Sequence, residues 1–286
     1  MSPRLALLVL LHLSAGAGAQ VSIETVPARP VRGALFRLTV APTLPARVQW
    51  IEGSIADEPL HLETSEGAFW RGLAAAPVEG GDSLEVMLVL VAGDRRDTVR
   101  TSIAVAPGAY PQERLRVAPS MAQPDSAARV RIAREVARAR EVSRAAHQTP
   151  RLWEAPFVRP RPTRITSPFG TAREYNGAVT SRHLGTDFAG AVGTPVLATN
   201  RARVALVADF YLAGKVVYLD HGEGLISAYF HLSQALVKAG DYVERGQRIG
   251  GVGQSGRVTG PHLHWVMRYG GVTVDPMSAL ALLGAE

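Results

Sequence analysis

Ala202-Arg-Val-Ala-Leu-Val-Ala208, Lys215-Val-Val-Tyr-Leu-Asp220 and Leu225-Ile-Ser-Ala-Tyr-Phe-His231 are three runs rich in β-branched and aromatic residues, with Gly222 to Gly224 between the second and the third. Runs of this kind separated by glycine form antiparallel hairpins, because the branched side chains fit a pleated surface and glycine supplies the turn angles. Pro195-Val-Leu-Ala198 upstream and His262-Leu-His-Trp-Val-Met-Arg268 downstream, followed by Gly270-Gly271, continue the pattern. Residues 155–286 therefore read as a mostly antiparallel β domain with little helix.

Upstream the pattern changes. Residues 20–106 alternate apolar and polar positions in short runs such as Ala34-Leu-Phe-Arg-Leu-Thr-Val40, Arg47-Val-Gln-Trp-Ile51 and Ser83-Leu-Glu-Val-Met-Leu-Val-Leu-Val91, with Gly93-Asp-Arg-Arg-Asp97 joining two strands. About seven short strands with no helical period predict an accessory domain, a small antiparallel β-sandwich of immunoglobulin-like type. His61, in a Leu-His-Leu alternation, reads as a solvent-face or turn histidine. Pro107, Pro111, Pro119 and Pro124 are linker chemistry. From Pro124 to about His147 the chain is rich in Ala, Arg and Glu, with Asp125 and Ser126 as cap candidates, and predicts one helix of roughly six turns. Its thin apolar stripe of Val130, Ile132, Val136 and Val142 suits a strut packed along another domain, so residues 107–154 form a linker and helix. Glu135 and Glu141 interrupt the arginines of this helix, which argues against a nucleic-acid face.

The first residues, Met-Ser-Pro-Arg, then an apolar run from Leu5 to Leu13 and the small residues Ala17-Gly-Ala19, read as a signal peptide of residues 1–19 cleaved after Ala19. An uncleaved anchor is the alternative, although the run falls short of the ~20 residues a span needs. No later stretch approaches that length, so an exported chain in the periplasm or cell envelope, without stable membrane insertion after cleavage, is expected. A length of 286 residues suits two domains, and 47% hydrophobic with 20% charged residues argues against wholesale disorder. The absence of cysteine excludes disulfides, thiol nucleophiles, a thiol-linked lipid anchor and thiolate zinc sites. The net charge of +6 suits an anionic polymer, but no basic stripe or nucleic-acid motif accompanies it, so nucleic acid is not an expected partner.

Five of the eight histidines lie between residues 183 and 264. Ser181-Arg-His-Leu-Gly-Thr-Asp-Phe188 sets His183 and Asp187 four apart. On an ideal strand they would share a face at ~13 Å, too far to grip one ion. The chain must then bend at Gly185, which can adopt angles closed to other residues and leaves the space between the side chains empty. In Gly260-Pro-His-Leu-His-Trp265, His262 and His264 project from one strand face ~6.6 Å apart, so one can bind a metal while the other handles protons. A solvated polar face is the plain alternative. His231, in Tyr229-Phe-His-Leu-Ser233, ends a strand and can bring one more imidazole to the same face. Together these residues offer His, Asp and His as zinc ligands. Three protein ligands leave a fourth position for water, the catalytic arrangement, whereas His231 or His262 as a fourth ligand would close the site. His221, in Asp-His-Gly-Glu-Gly, reads as structural, and Tyr229 and Trp265 either line a groove or pack in the core.

His183-Leu-Gly-Thr-Asp187, Tyr229-Phe-His231-Leu-Ser and His262-Leu-His264, with Ile165-Thr-Ser-Pro-Phe-Gly170 and Gly256-Arg-Val-Thr-Gly-Pro261, resemble the lysostaphin-type (LytM-type) zinc metallopeptidases of bacterial cell walls over residues 155–280. The resemblance implies that His183, Asp187 and His264 bind Zn2+. It implies also that His231 and His262 are catalytic, acting on the attacking water or on the tetrahedral intermediate. The activity implied is that of a zinc metalloendopeptidase hydrolysing peptide bonds in peptidoglycan stems or cross-links, with peptidoglycan peptides as partner. The alternative is a non-catalytic peptidoglycan-binding or amidase-activating module on the same fold, against which the unbroken set of ligand and catalytic positions argues. Gly240-Asp-Tyr-Val-Glu-Arg-Gly-Gln-Arg-Ile249 resembles the hairpin of biotinyl and lipoyl carrier domains, but the next turn, Gly250-Gly-Val-Gly253, has no acceptor Lys. A wall-cutting enzyme needs restraint, so residues 20 to about 150 are expected to limit access to the zinc, with a purely positioning role as the alternative.

Overall fold

The computed structural model describes residues 21–44, 48–65, 69–177 and 179–284. The signal-peptide reading of residues 1–19 lies outside the described residues. Two compact units make up the chain, Met1–Pro107 and Gly108–Glu286.

In the first unit, alternating burial along Leu35–Pro42 and Ser83–Ala92 turns Phe36, Leu38 and Val40, and Val86, Leu88 and Leu90, inward. One antiparallel sheet runs in the order Val21–Val26, Leu35–Pro42, Phe69–Ala75, Glu63–Ser65. The other runs Glu58–Pro59, Trp50–Ile55, Ser83–Ala92, Arg95–Ala104. Side chains of both sheets, Trp70, Ile51 and Ile103 among them, share one core, so the two sheets form a sandwich. The long hairpin turns on Gly93 and Asp94, and Arg95 already opens the return strand. His61 is half-buried in an irregular connection.

The second unit is built on an antiparallel sheet in the order Ile165–Ser167, Thr186–Ala189, His262–Tyr269, Leu225–Ala235, Gly214–Gly222, Ala202–Phe210, Tyr242–Val243. Arg248–Val252 joins Leu225–Ala235 to Pro195–Leu197, and Val272–Val274 pairs with His262–Tyr269. The turn into Leu225–Ala235 needs left-handed backbone at Gly222, Glu223 and Gly224, with φ of 91°, 50° and 80°, which is why glycine stands at two of the three positions. Tyr229 and Trp265 are fully buried and pack in the core; the Tyr229 hydroxyl accepts from the Thr199 N–H at 3.0 Å.

A smaller sheet, Val179–Arg182, Ala172–Tyr175, Gln112–Leu115, pairs its last two strands in parallel. Part of the segment read as linker is therefore a strand of this unit. The helix spans Ser126–Ala145, and the side chain of Asp125 caps it by accepting from the Ala128 N–H at 2.7 Å. Its contact face keeps half of the expected stripe, since Ile132 is half-buried and Val142 packs against the sheet core. Val130 and Val136 are 60% and 51% exposed, whereas Ala139 and Ala146 pack with Phe210, Tyr218, Ile226 and Val266, and Ser143 is buried between them. Positions 139, 143 and 146 follow the four- and three-residue steps of one helix face, and their small side chains let the helix lie close against the sheet. Among the described residues no helix is long and apolar enough to cross a membrane.

Candidate metal centre

Strand register assembles the site. Where Thr186–Ala189 pairs with His262–Tyr269, Asp187 lies opposite His264 and Ala189 opposite His262, so Asp187, His262 and His264 share one face. His183 reaches that face from the other side of a bend at Gly185. The bend agrees with the sequence reading, and of the two reasons read for glycine the need for empty space holds while the unusual backbone angle does not. Gly185 is not left-handed, and a Cβ there would stand 2.6 Å from His264 Cε1 and 2.6 Å from the Trp265 carbonyl oxygen. Close approach to the imidazole, not an unusual φ, requires glycine.

His231 arrives by an irregularity. Phe230 lies opposite His264, so regular alternation would turn His231 to the other face, beside Tyr229. However, Lys215 pairs with Leu232 while Val217 pairs with Tyr229, which sets residues 230 and 231 against residue 216 alone. This is a β-bulge. With φ of 59°, His231 turns its ring to within 5.0 Å of the His262 ring and 5.8 Å of the His264 ring, centroid to centroid.

Three donor atoms converge. His183 Nε2 is 2.9 Å from Asp187 Oδ1 and 2.8 Å from His264 Nδ1, and His264 Nδ1 is 2.8 Å from Asp187 Oδ1. His183 Nδ1 lies 2.8 Å from the Pro168 carbonyl, which can only accept, so Nδ1 carries the proton and Nε2 presents its lone pair. The contact of that lone pair with the Asp187 carboxylate is repulsive, and a cation among the three atoms would relieve it. Two imidazole nitrogens and a carboxylate oxygen without thiolate suit zinc. Tetrahedral donors on bonds of ~2.0–2.1 Å stand roughly 3.3 Å apart, so each pair would open by about 0.5 Å or less. Burial lowers His264 to about 4, and burial with repulsion from His264 and His262 lowers His231 to about 3, so both are neutral at pH 7.

His231 and His262 stand beside this donor set. Their Nδ1 atoms each lie 2.8 Å from a backbone carbonyl, of Ser255 and Gly260 respectively, so each Nε2 keeps its lone pair. His262 Nε2 is 3.7 Å from Asp187 Oδ1. Both rings line a cleft of about 370 Å³ together with Asp187, Arg173, Tyr175 and Arg257. A larger hollow of about 670 Å³ in the first unit has no histidine in its lining. His221 stays away from the centre. It is fully buried, its Nδ1 donates to the Arg201 carbonyl at 2.9 Å, its Nε2 accepts from Ser227 Oγ at 2.8 Å, and burial lowers it to about 4. Arg173, whose Nη2 donates to Asp187 Oδ2 at 2.7 Å, is not among the residues the sequence singles out. Only the smaller sheet brings it there, and no spacing along the chain announces it.

Residues 181–276 match peptidase family M23 and form an M23 domain. Over 119 residues the chain is 44% identical to the peptidoglycan DD-endopeptidase ShyA of Vibrio cholerae, covering 41% of this chain and 27% of that protein. Over 116 residues it is 39% identical to the DD-carboxypeptidase/endopeptidase Mpg of Neisseria gonorrhoeae, covering 41% of this chain and 27% of that protein. The chain thus spans about a quarter of the length of these curated relatives. A crystal structure of a Pseudomonas aeruginosa protein assigned to peptidase M23 is 29% identical, with a TM-score of 0.65 over 88% of this chain and 95% of its own. That likeness extends beyond the M23 domain.

Proposed function

We propose that this M23 domain is a zinc-dependent endopeptidase acting on peptidoglycan, in which His183, Asp187 and His264 hold the zinc and His231 and His262 are the catalytic histidines. The observation that carries the reading is the convergence of three donor atoms, 2.8 to 2.9 Å apart, one of them on Asp187, which lines a cleft together with two imidazoles that have available Nε2 lone pairs. The relatives named as a peptidoglycan DD-endopeptidase and a DD-carboxypeptidase/endopeptidase support peptidoglycan peptides as substrate. A wall substrate in turn supports export to the periplasm or cell envelope.

When bound, zinc supplies Lewis-acid polarisation of the scissile carbonyl and lowers the pKa of water towards ~7. The rest falls to the chain. Asp187 offsets part of the cation's charge and is itself anchored by Arg173. The carbonyls of Ser255 and Gly260 fix the two catalytic rings, so that each Nε2 can take a proton from the attacking water or return one to the leaving amine. An imidazole that has gained a proton becomes a donor suited to the oxygen on which charge develops. No nucleophilic side chain is needed, in keeping with a chain without cysteine.

Purified sacculi incubated with the chain should release muropeptides cut at a peptide bond. A chelator should stop the release, and added Zn2+ should restore it. Sacculi that bind the zinc-loaded chain yet stay undigested would make it a non-catalytic binding module.

A further inference from the structure

We propose that the strand Gln112–Leu115, which precedes the M23 domain in sequence, is part of the metal centre, and that Glu113 is a positioning residue acting on Asp187 through Arg173. The inference rests on the reading of His183, Asp187 and His264 as zinc ligands.

Parallel pairing with Ala172–Tyr175 sets Glu113 beside Arg173. Both Glu113 oxygens face the site: Oε1 accepts from Ser167 Oγ at 2.9 Å and Oε2 from Arg173 Nε at 3.3 Å. Arg173 Nη2 donates to Ser167 Oγ at 3.0 Å and to Asp187 Oδ2 at 2.7 Å. Ser167 lies opposite Asp187 in the main sheet, and its hydroxyl is 3.4 Å from His183 Nδ1. Glu113, Ser167 and Arg173 therefore form a closed ring that bears on two of the three donors. The Arg173 and Glu113 side chains are only 14% and 29% exposed, so water screens the ring weakly. The strand is also secured at both ends. Tyr110 packs on Gly170, where a Cβ would overlap its ring, and Val117 exchanges two hydrogen bonds of 3.0 Å with the Asn176 side chain.

The chemistry follows from the sharing of one guanidinium. Arg173 alone on Asp187 would draw electron density from the carboxylate and could swing across to Oδ1, the oxygen facing the other two donors. Glu113 takes part of that charge and holds the plane of the guanidinium, so that Nη2 engages Oδ2 and leaves Oδ1 to the metal. Partners of this kind behind a ligand are typically worth ~10–100-fold in metal affinity.

The test uses the full chain, stripped of metal and titrated with Zn2+ against a chromophoric chelator, with the visible spectrum of the Co2+ form as a second readout. Glu113→Gln should raise the Zn2+ Kd ~10–100-fold and alter the Co2+ bands, with the melting curve of the metal-free protein close to wild type. Arg173→Gln should do likewise, and the double variant should lose less than the sum of the two single losses because both act along one chain of contacts. Arg114→Ala, on the same strand but paired at the surface with Glu174, should change neither readout. The proposal is overturned if Glu113→Gln binds Zn2+ within threefold of wild type with an unchanged Co2+ spectrum. Additive losses would overturn it too, as would an equal loss in Arg114→Ala, which would assign the effect to docking of the strand. A wild-type chain that fails to bind Zn2+ would instead remove the ligand assignment itself.

Discussion

Replacing Gly185 with alanine should cost the chain its metal before it costs the fold. The added Cβ would stand 2.6 Å from His264 Cε1, 2.7 Å from His264 Nε2 and 2.6 Å from the Trp265 carbonyl oxygen. Carbon atoms settle about 3.5–4.0 Å apart, so something must move by about 1 Å. The Trp265 backbone is held on both sides, opposite Thr186 and opposite Tyr229, and yields little. The His264 ring or the 183–187 bend must yield. A metal site tolerates displacements of about 0.5 Å, so a shift of about 1 Å takes His264 Nδ1 out of reach of a geometry shared with His183 and Asp187. We expect the Zn2+ Kd of Gly185→Ala to rise at least ~100-fold, about 2.8 kcal/mol. The metal-free protein should lose only the ~1–3 kcal/mol usual for overpacking. Chelator competition gives the first number and denaturant unfolding of the metal-free protein the second. Zinc affinity within threefold of wild type would refute the argument that close approach is what demands glycine.

Asp187→Ala should lose bound metal while its circular dichroism stays that of the parent; a variant with stoichiometric zinc and full wall digestion would sink the ligand assignment. His262→Ala should keep zinc and lose ~10²–10⁴ in rate, whereas His264→Ala should lose both. Equal zinc loss in the two would move His262 into the ligand set. His221 has its pKa lowered by burial from 6.5 to about 4. Above pH 6.5 neither state protonates it, but between 6.5 and 4 the unfolded chain takes up a proton that the folded chain refuses, so stability falls with pH across that window by on the order of 3 kcal/mol. His221→Gln should remove one proton's worth of slope from the stability curve there, and an unchanged slope would rule His221 out as a source. A chain beginning at Gly108 keeps Gln112–Leu115 and Ser126–Ala145, so it should bind zinc like the whole chain and, if residues 20–107 restrain the cleft, digest sacculi faster. Equal or slower digestion would favour a positioning role for those residues.

Two central strands of the second unit are legible in the sequence because they are buried on both faces. Gly214–Gly222 and the first half of Leu225–Ala235 are almost uninterrupted in their burial, and such strands read as continuous apolar runs between glycine turns. The Asp187 and His264 pairing is legible in part, because His-x-Gly-x-Asp and His-x-His name their chemistry locally even though the register that joins them is not local. Gln112–Leu115 is not legible. Gln-Glu-Arg-Leu has one apolar residue, and the Arg173 that its Glu113 engages lies 60 positions away. The helix face is legible in part: Val142 of the apolar stripe packs against the sheet core, but Val130 and Val136 are exposed, and closeness to the sheet selects Ala139, Ser143 and Ala146.

His231 shows how the fold supports a costly conformation. Left-handed backbone costs a residue with a side chain roughly 1–2 kcal/mol, and the bulge that carries it also breaks the hydrogen-bond ladder between Gly214–Gly222 and Leu225–Ala235. Ser255 repairs that break. The Lys215 N–H donates to Ser255 Oγ at 2.9 Å, and Ser255 Oγ donates to the Leu232 carbonyl at 2.9 Å, so the serine hydroxyl stands where a ladder bond would have been. The His231 N–H finds the Ala213 carbonyl at 2.9 Å. The backbone of the same serine performs a second task, since its carbonyl accepts from His231 Nδ1, while five residues on the Gly260 carbonyl accepts from His262 Nδ1. One loop therefore mends the bulge and fixes the tautomer of both rings, and this is how two histidines from different strands come to offer the same nitrogen to the same cleft.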